Sequence, residues 1–404
     1  MATILELIHN EEIRQRQTIR LIASENYVSK PILTALGSFL TNKYSEGYSL
    51  KRYYEGQEFI DQIELQAIED AKTLFGAKFV NVQAYSGSPA NLAVYLATLK
   101  PGDTILGLDL PSGGHLTHGS KVSISGKWLH SVSYGLNPET MRIDYDQIKQ
   151  LAQEHNPKII ISGHSAYPRE IDFARIGAIA KSIGALHLAD ISHISGLVAT
   201  GEHPHPFPHA DIITTTTHKV LRGPRGALIM TNDAKLAKKI DKAVFPGLQG
   251  GPHINNIAGI AIALQEALTP EYRAYTKQVK ANTKALAEAL MDRGYDLVTG
   301  GSDNHLVLVD LRSKHIDGDT LSKNLIQANI ETNKNSIPFD DTGTPQKPNG
   351  IRLGTPSVTT LGMKESEMTR IAEFIEQVYQ SNGDTQKLND IQNEVKSFMN
   401  DFRL

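Results

Sequence analysis

The chain contains no cysteine among its 404 residues. Disulfides, thiolate metal sites and cysteine nucleophiles are therefore impossible. It has no excess of either charge. The 41 basic and 44 acidic residues leave a net charge of −3, so no electrostatic argument favours nucleic acid or an anionic membrane as a partner. No window approaches the roughly 18 apolar residues of a membrane span. The start, MATILELIHNEEIRQRQ, lacks the basic segment and apolar core of a signal peptide. There is no repeat and no low-complexity tract. The expectation is a cytoplasmic protein with no membrane and no nucleic-acid partner. At 40% hydrophobic and 21% charged residues the composition is that of a globular protein, long enough for a sizeable core and two or three domains.

Short apolar runs alternate with amphipathic stretches through the first two thirds of the chain. Residues 57–76 place Ile60, Ile63, Ala67, Ile68, Ala71, Leu74 and Phe75 on one helical face, with Gly76 as a stop. FVNVQ (79–83), TILGL (104–108), KIIIS (158–162), ALHLAD (185–190), ADIITTTT (210–217) and GALIMT (226–231) read as strands, and 86–99 and 173–184 as helices. This alternation predicts an α/β domain with a mostly parallel sheet. Beyond about residue 270 the pattern becomes a long helix (269–293), two strands joined by a turn (295–311), and helices near 318–328, 364–380 and 384–403, a smaller α+β domain. Residues 2–20 read as a short polar helix or arm.

Several short stretches carry chemistry. In TTTTHKVLRGPRG (214–226) a half-buried threonine strand runs to His218, and Lys219 stands at its end before a glycine-rich turn. A lysine there is either a desolvated nucleophile or a surface residue at a loop mouth. SGS (86–88) opens a helix directly after a strand, as an anion cup for one phosphate or as simple capping. Asp190 ends the strand in LADISHISG (188–196), with His193 three residues on. It either caps the next turn or faces a cation, and an Asp holding a pyridinium beside a lysine imine is the pyridoxal phosphate arrangement. His115 and His118 in SGGHLTHGS (112–120) stand at a spacing that a metal on a helix would suit, but the glycines weaken a helix. A ring-stacking imidazole or a plain loop fits better. Arg352 in NGIRLGTP (349–356) sits between glycines in an apolar strand, for a bidentate carboxylate pair or a structural salt bridge. Four tyrosines, Glu46 and three basic residues crowd NKYSEGYSLKRYYEG (42–56), a proton-transfer loop, an interface loop, or both.

Taken together these segments resemble the serine hydroxymethyltransferases. LIASEN (21–26), NKYSEGY (42–48), KRYYEG (51–56), SGSPAN (86–91), GGHLTHG (113–119), SAY (165–167), DISHISGLVA (190–199), TTTTHK (214–219), GPRG (223–226), FPGLQGGP (245–252), GGSDNHL (300–306), NKNSIP (333–338) and GIRLGTP (350–356) occur in the family's order across nearly the whole chain. The resemblance implies a fold-type I transferase, like aspartate aminotransferase. It has an arm and interface loop at 1–56, a large pyridoxal 5'-phosphate-binding domain at 57–268 and a small C-terminal α+β domain at 269–404. It implies a homodimer or a pair of dimers acting on L-serine, glycine and tetrahydrofolate, with no metal.

By the same resemblance Lys219 carries the cofactor as a Schiff base, Asp190 holds the pyridine nitrogen, His115 stacks on the ring and Ser165 approaches the phenolic oxygen. Ser86, Gly87, Ser88 and His218 hold the phosphate, reached from the neighbouring subunit by Tyr44, Gly250 and Gly251. Arg352, Ser24 and His193 bind the amino-acid carboxylate, and His193 also belongs to the cofactor set. Glu46 and Tyr54, from the partner chain, face the substrate hydroxyl. Leu116 and Asn335 contact folate, Thr216 is a catalytic position and Arg225 a substrate-binding one.

The chain departs from the family's usual pattern at Arg20, Ser49, Leu50, Glu55, Gln57, Tyr85, Pro89 and Ser192, where Glu, Pro, Gly, Gly, Cys, His, Gln and Ala are usual. The changes at 49–57 bear on pterin preference. Two other readings stay open: a different amino-acid aldolase of this fold, and a non-catalytic relative that binds a partner or RNA.

Overall fold

The β-branched and apolar runs pair edge to edge in the computed structural model, which describes residues 2–402. Seven of them form one sheet: β1 (Phe79–Asn81), β2 (Thr104–Leu108), β3 (His130–Tyr134), β4 (Ile159–Gly163), β5 (Leu186–Asp190), β6 (Ile212–Thr216) and β7 (Ala227–Thr231). Their spatial order is β1-β7-β6-β5-β4-β2-β3. All neighbours are parallel except β7, which runs antiparallel to both β1 and β6. Every residue of β4, β6 and β7 is buried, which is why these strands read as continuous apolar or β-branched runs without alternation.

The threonine strand differs from the half-buried strand ending at His218 that its sequence suggests. It ends at Thr216, is buried throughout, and satisfies its hydroxyls internally. Thr214 donates to Asn91 Oδ1 (2.7 Å), Thr215 to the Thr216 carbonyl (2.9 Å), Thr216 to the Ser192 carbonyl (3.3 Å) and Thr217 to the Pro224 carbonyl (2.6 Å). Lys219 lies three residues beyond the strand, in a turn closed by Gly223 N–H to Thr217 O (2.7 Å) and Arg222 N–H to Lys219 O (3.0 Å).

The chain divides into two units, Asn26–Ser165 with Glu170–Thr276, and Met1–Glu25 with Ala166–Arg169 and Lys277–Leu404. The larger holds the seven-stranded sheet. Helix Glu58–Phe75 forms as its periodicity predicts, and Gly76 ends it in the left-handed region (φ 61). Helix Ile254–Ala267 packs against it. The smaller unit is built on an antiparallel sheet of Asp296–Leu297, Leu306–Asp310, Gly350–Gly354 and Asn333–Asn335, in that order. Its core joins Val307, Val309, Ile351 and Leu353 to Leu321, Leu325, Ile371, Phe374 and Ile375. Ile19 and Leu21 share that core, and Ile19–Arg20 pairs in parallel with Ile330–Glu331. The first 25 residues thus belong with the C-terminal segment. Residues 26–56, which the sequence reading joins to them, belong to the larger unit.

A buried ion network shapes loop 44–54. Arg52, only 3% exposed, donates from Nε to Asp61 (2.9 Å), from one terminal nitrogen to Glu64 (3.0 Å) and from the other to the carbonyls of Ser45 and Gly47 (2.9 Å each). Glu64 also accepts from Ser49 and Gln83, and Asp61 from Leu50 N–H. Removing one partner of a buried ion pair leaves an unpaired charge out of water and typically costs about 3–5 kcal/mol. Arg52→Ala should therefore lose stability of that order in denaturant unfolding. A loss below about 1 kcal/mol would mean that the network is solvated and does not hold the loop.

Candidate active site

The site in the larger unit begins at the carboxyl end of β5. Asp190 is buried there, and three elements meet its carboxylate. Asn91, from helix Gly87–Thr98, donates to Oδ2 (2.8 Å). His118 Nε2 reaches the same oxygen (3.1 Å), and Ser192 N–H donates to Oδ1 (3.1 Å). The His115 backbone N–H points at His118 Nδ1 (3.3 Å), which puts the ring proton on Nε2, facing Asp190. Burial pushes the Asp190 carboxyl up, but the hydrogen bonds from His118 and Ser192 outweigh it and hold the group well below the usual carboxylate range. Nitrogens of His115 and His118 and an Asp190 oxygen lie within 4.8 Å of one another. Both His118 nitrogens are engaged as described, and His115 Nδ1 meets Thr117 Oγ1 at 2.8 Å, so hydrogen bonds occupy these ring nitrogens.

Lys219, linked to this carboxylate through Thr216 and Ser192, is buried with Nζ donating to Thr216 Oγ1 (2.7 Å). Thr216 is fixed in turn by Ser192, whose hydroxyl accepts its backbone N–H (3.1 Å) and whose carbonyl accepts its hydroxyl (3.3 Å). Gly87 packs so closely on this strand that a Cβ there would stand 2.7 Å from Thr216 Cγ2, which requires glycine. The SGS turn and Lys219 are thereby joined through one threonine.

The residues present fit a phosphorylated pyridine cofactor. Ser86 heads helix Gly87–Thr98 without a side-chain cap, so the first backbone amides face outward. His218 Nδ1 is buried without a hydrogen-bond partner, while Arg225 approaches Nε2 at 3.5 Å. Burial, then the charges of Lys219 and Arg225, push the His218 imidazole down to about 3, so Nδ1–H is a neutral donor waiting for an acceptor. Burial, then His118, push His115 down to about 4, so it presents a neutral ring. Ser165 follows β4 and its N–H donates to Gly113 O (2.7 Å), tying that loop to the His115 turn. His193 is buried after β5, its ring 6.3 Å from that of His164. Leu116 stands half exposed beside His115.

A second cluster joins loop 44–54 to the glycine loop. Glu46 accepts from Tyr44 (3.4 Å) and Tyr54 (3.2 Å), whose rings meet edge to face at 5.7 Å. The Glu46 charge pushes the Tyr54 phenol up. Gly250 and Gly251 lie against Glu46 and Tyr44.

In the smaller unit Arg352 is buried at the centre of Gly350–Gly354, opposite Asn333, and its Nε donates to Asn333 Oδ1 (3.0 Å). Burial holds its guanidinium down at about 10. Asn335 lies two residues along the Asn333 strand. Ser24 follows Ala23, which packs on Gly354, where a Cβ would come within 2.4 Å of the Ala23 backbone.

Asn91, Thr214 and Asn333 contact the predicted residues directly, yet only the motif quotations touch on them, and His118, weighed with His115 as a metal or ring-stacking residue, turns out to face Asp190. Nothing in a single sequence links Asn91 to an aspartate 99 positions away. The one usable signal is that four threonines in a buried strand must find acceptors.

A seven-stranded, mostly parallel sheet with a lysine and an ionised aspartate at its strand ends defines a fold-type I transferase. The family model described as "Serine hydroxymethyltransferase" matches residues 2–375. The chain is 57% identical to the serine hydroxymethyltransferase of Desulfotalea psychrophila, over 99% of this chain and 93% of that protein. It is 58% identical to that of Acidothermus cellulolyticus, over 93% and 88%, and 54% identical to that of Rippkaea orientalis, over 99% and 94%. The chain belongs to the serine hydroxymethyltransferase family.

The depressed His115 and His218 set a pH dependence. Each is neutral when folded down to about pH 4 and about pH 3, against an ordinary value of 6.5. Below pH 6.5 the unfolded chain binds the extra protons, so stability falls as pH drops through that window. His218→Asn should make the loss of stability between pH 7 and pH 4 shallower in denaturant titrations. An unchanged slope would place the His218 ring in water.

Proposed function

We propose that this chain converts L-serine and tetrahydrofolate reversibly to glycine, 5,10-methylenetetrahydrofolate and water, with pyridoxal 5'-phosphate as cofactor. The observation that carries the reading is the pairing of an ionised, buried Asp190 with a buried Lys219 amine, next to a partnerless His218 donor and an uncapped helix start. When bound, the cofactor supplies a protonated ring that accepts electron density as the bond between the α and β carbons of serine breaks.

Asp190 would hold the ring nitrogen and keep it protonated, His115 would cover the ring and Ser165 would approach the phenolic oxygen. Ser86, Gly87, Ser88 and His218 hold the phosphate. Thr216 orients the Lys219 amine that attaches the cofactor. Arg352, Ser24 and His193 are the groups that would bind the substrate carboxylate. Arg225 assists on the substrate side, and Leu116 and Asn335 border the pterin.

The working unit in this reading is a cytoplasmic homodimer, or a pair of such dimers, with shared sites. Phe39 is 91% exposed, Phe59 70% and Leu33 58%, and helix Ile4–Arg16 has no buried residue while exposing Ile4, Leu5, Leu7 and Ile8. That much apolar surface on a folded chain favours a protein partner. No described helix is long and apolar enough to cross a membrane. Tyr44, Gly250 and Gly251 then complete the neighbour's phosphate site, and Glu46 with Tyr54 face the neighbour's substrate hydroxyl and folate.

Three measurements test this. Borohydride reduction of the cofactor-loaded protein should leave the label on the Lys219 peptide, and a label on another lysine would overturn the assignment. Glu46 is the acid or relay for one-carbon transfer, a role typically contributing about 10²–10⁴-fold. Glu46→Gln should lose that much tetrahydrofolate-dependent serine conversion while still cleaving bulky 3-hydroxy amino acids. Equal loss in both reactions would refute the role. Wild-type turnover of serine that tetrahydrofolate does not accelerate would point to a different aldolase of this fold.

A further inference from the structure

We infer that Tyr85 is a positioning residue that ties the phosphate cup to the glycine loop and the Glu46 cluster, an inference that rests on the phosphate role proposed for Gly250 and Gly251. Tyr85 stands immediately before Ser86, where the family usually has histidine. Its backbone N–H donates to Gln249 Oε1 (3.1 Å) and its phenol donates to the Gly251 carbonyl (2.8 Å). Its ring lies flat on His253, with centroids 4.1 Å apart and planes 1° from parallel. Gln249 Nε2 returns a bond to the Gln83 carbonyl (2.7 Å). Loop 249–253 thus hangs from residues 83–85 by three hydrogen bonds and one stack.

The loop has little else to fix it. Gly250 is exposed, and consecutive glycines sample a wide range of backbone angles when unrestrained. On its far side a Cβ at Gly251 would stand 3.1 Å from Tyr44 Cζ, and one at Gly250 3.4 Å from Glu46 Oε1. Setting the loop therefore also sets where Tyr44 and Glu46 rest. Burial, then the Tyr44 and Glu46 groups, push the Tyr85 phenol up, so it remains a donor to Gly251. Histidine is shorter and does not carry a donor to the position of the phenolic oxygen. Within the proposed dimer, Tyr85 links the cup of its own chain to the loop that completes the neighbour's phosphate site.

Tyr85→Phe keeps the ring stack and removes the hydroxyl. Apo protein is titrated with pyridoxal phosphate and separately with pyridoxal, following quenching of protein fluorescence and the absorbance of the lysine-bound cofactor. Loss of one neutral hydrogen bond predicts a roughly 3–10-fold weaker pyridoxal phosphate affinity, unchanged pyridoxal affinity and an apo melting temperature lowered by no more than about 4 °C. Equal weakening for both compounds makes Tyr85 merely structural and overturns the inference, as does no weakening at all. Wild-type protein that binds the two compounds equally well defeats the phosphate reading itself, whatever Tyr85 does.

Subunit hybrids supply the second readout. A chain carrying Lys219→Ala cannot attach the cofactor, so a hybrid with one such chain reports a single site. Tyr85→Phe placed on the Lys219→Ala chain should weaken that site, and Tyr85→Phe on the chain that keeps Lys219 should leave it unchanged. The reverse pattern would show that Tyr85 acts only on its own cup and would overturn the link.

Discussion

One buried carboxylate constrains the larger unit more than any other group. An ion the size of a carboxylate loses several kcal/mol of effective solvation when it leaves water, and Asp190 stays ionised only because donors converge on it from helix Gly87–Thr98, from the 115–118 turn and from its own following loop. Each donor needs a support of its own. Asn91 is oriented by Thr214 (2.7 Å) and also donates to Thr117 (2.9 Å), and His118 is held in one tautomer by the His115 N–H. The neighbouring strand must yield as well. Gly163, opposite Asp190 in the sheet, has φ +127, and a Cβ there would collide with the Asp190 carbonyl. The identities at 91, 118, 163 and 214 follow from keeping one negative charge in a dry place.

Five of the eight departures from the family pattern, Ser49, Leu50, Glu55, Gln57 and Tyr85, fall in or against one loop system, while Arg20, Pro89 and Ser192 lie elsewhere. Ser49 bonds to Glu64 (3.0 Å), Gln57 donates to the carbonyls of Tyr44 (3.1 Å) and Glu55 (3.4 Å), and Tyr85 donates to Gly251. All three secure the same region, the 44–57 loop and the glycine loop packed on it. Leu50 holds φ 65, a left-handed conformation that a glycine adopts without penalty, and its N–H is fastened to Asp61 (2.9 Å). A leucine in the left-handed region and four side-chain hydrogen bonds within one loop system describe a loop locked by side chains.

Much of this was legible beforehand, for physical reasons that differ by element. Strands β2, β4, β5 and β7 are short runs of β-branched and apolar residues with sharp ends, so their limits shift by at most a residue between sequence and structure. Helix Ile254–Ala267 escapes the sequence reading because it is buried nearly all round and loses the 3.6-residue alternation that marks a surface helix. Helix Tyr145–His155 carries its signal in its cap, Asp144 accepting from Asp146 and Gln147, more than in its apolar face. At the site, the charged and nucleophilic residues stand out by type. The neutral ones that hold them, Asn91, Ser192 and Thr214, become visible only when the sheet brings distant segments together. The N-terminal segment fails differently: its attachment is a two-residue parallel pairing of Ile19 and Arg20 with residues some 300 positions on, which no local pattern encodes.

The threonine before the lysine shows why these neutral partners matter. Lys219 Nζ donates to the Thr216 hydroxyl at 2.7 Å. Its proton is spent on the Ser192 carbonyl, so only lone pairs face Nζ. The Ser192 hydroxyl, accepting the Thr216 N–H, prevents the strand end from rotating the threonine away. Ser192 also donates its backbone N–H to Asp190. A single loop residue therefore links Asp190 and Lys219: it donates to the aspartate through its backbone, and it fixes Thr216, which accepts from the lysine, on the neighbouring strand. The placement of Asp190 relative to Thr216 and Lys219 thus follows the sheet register that pairs Asp190 with Thr214.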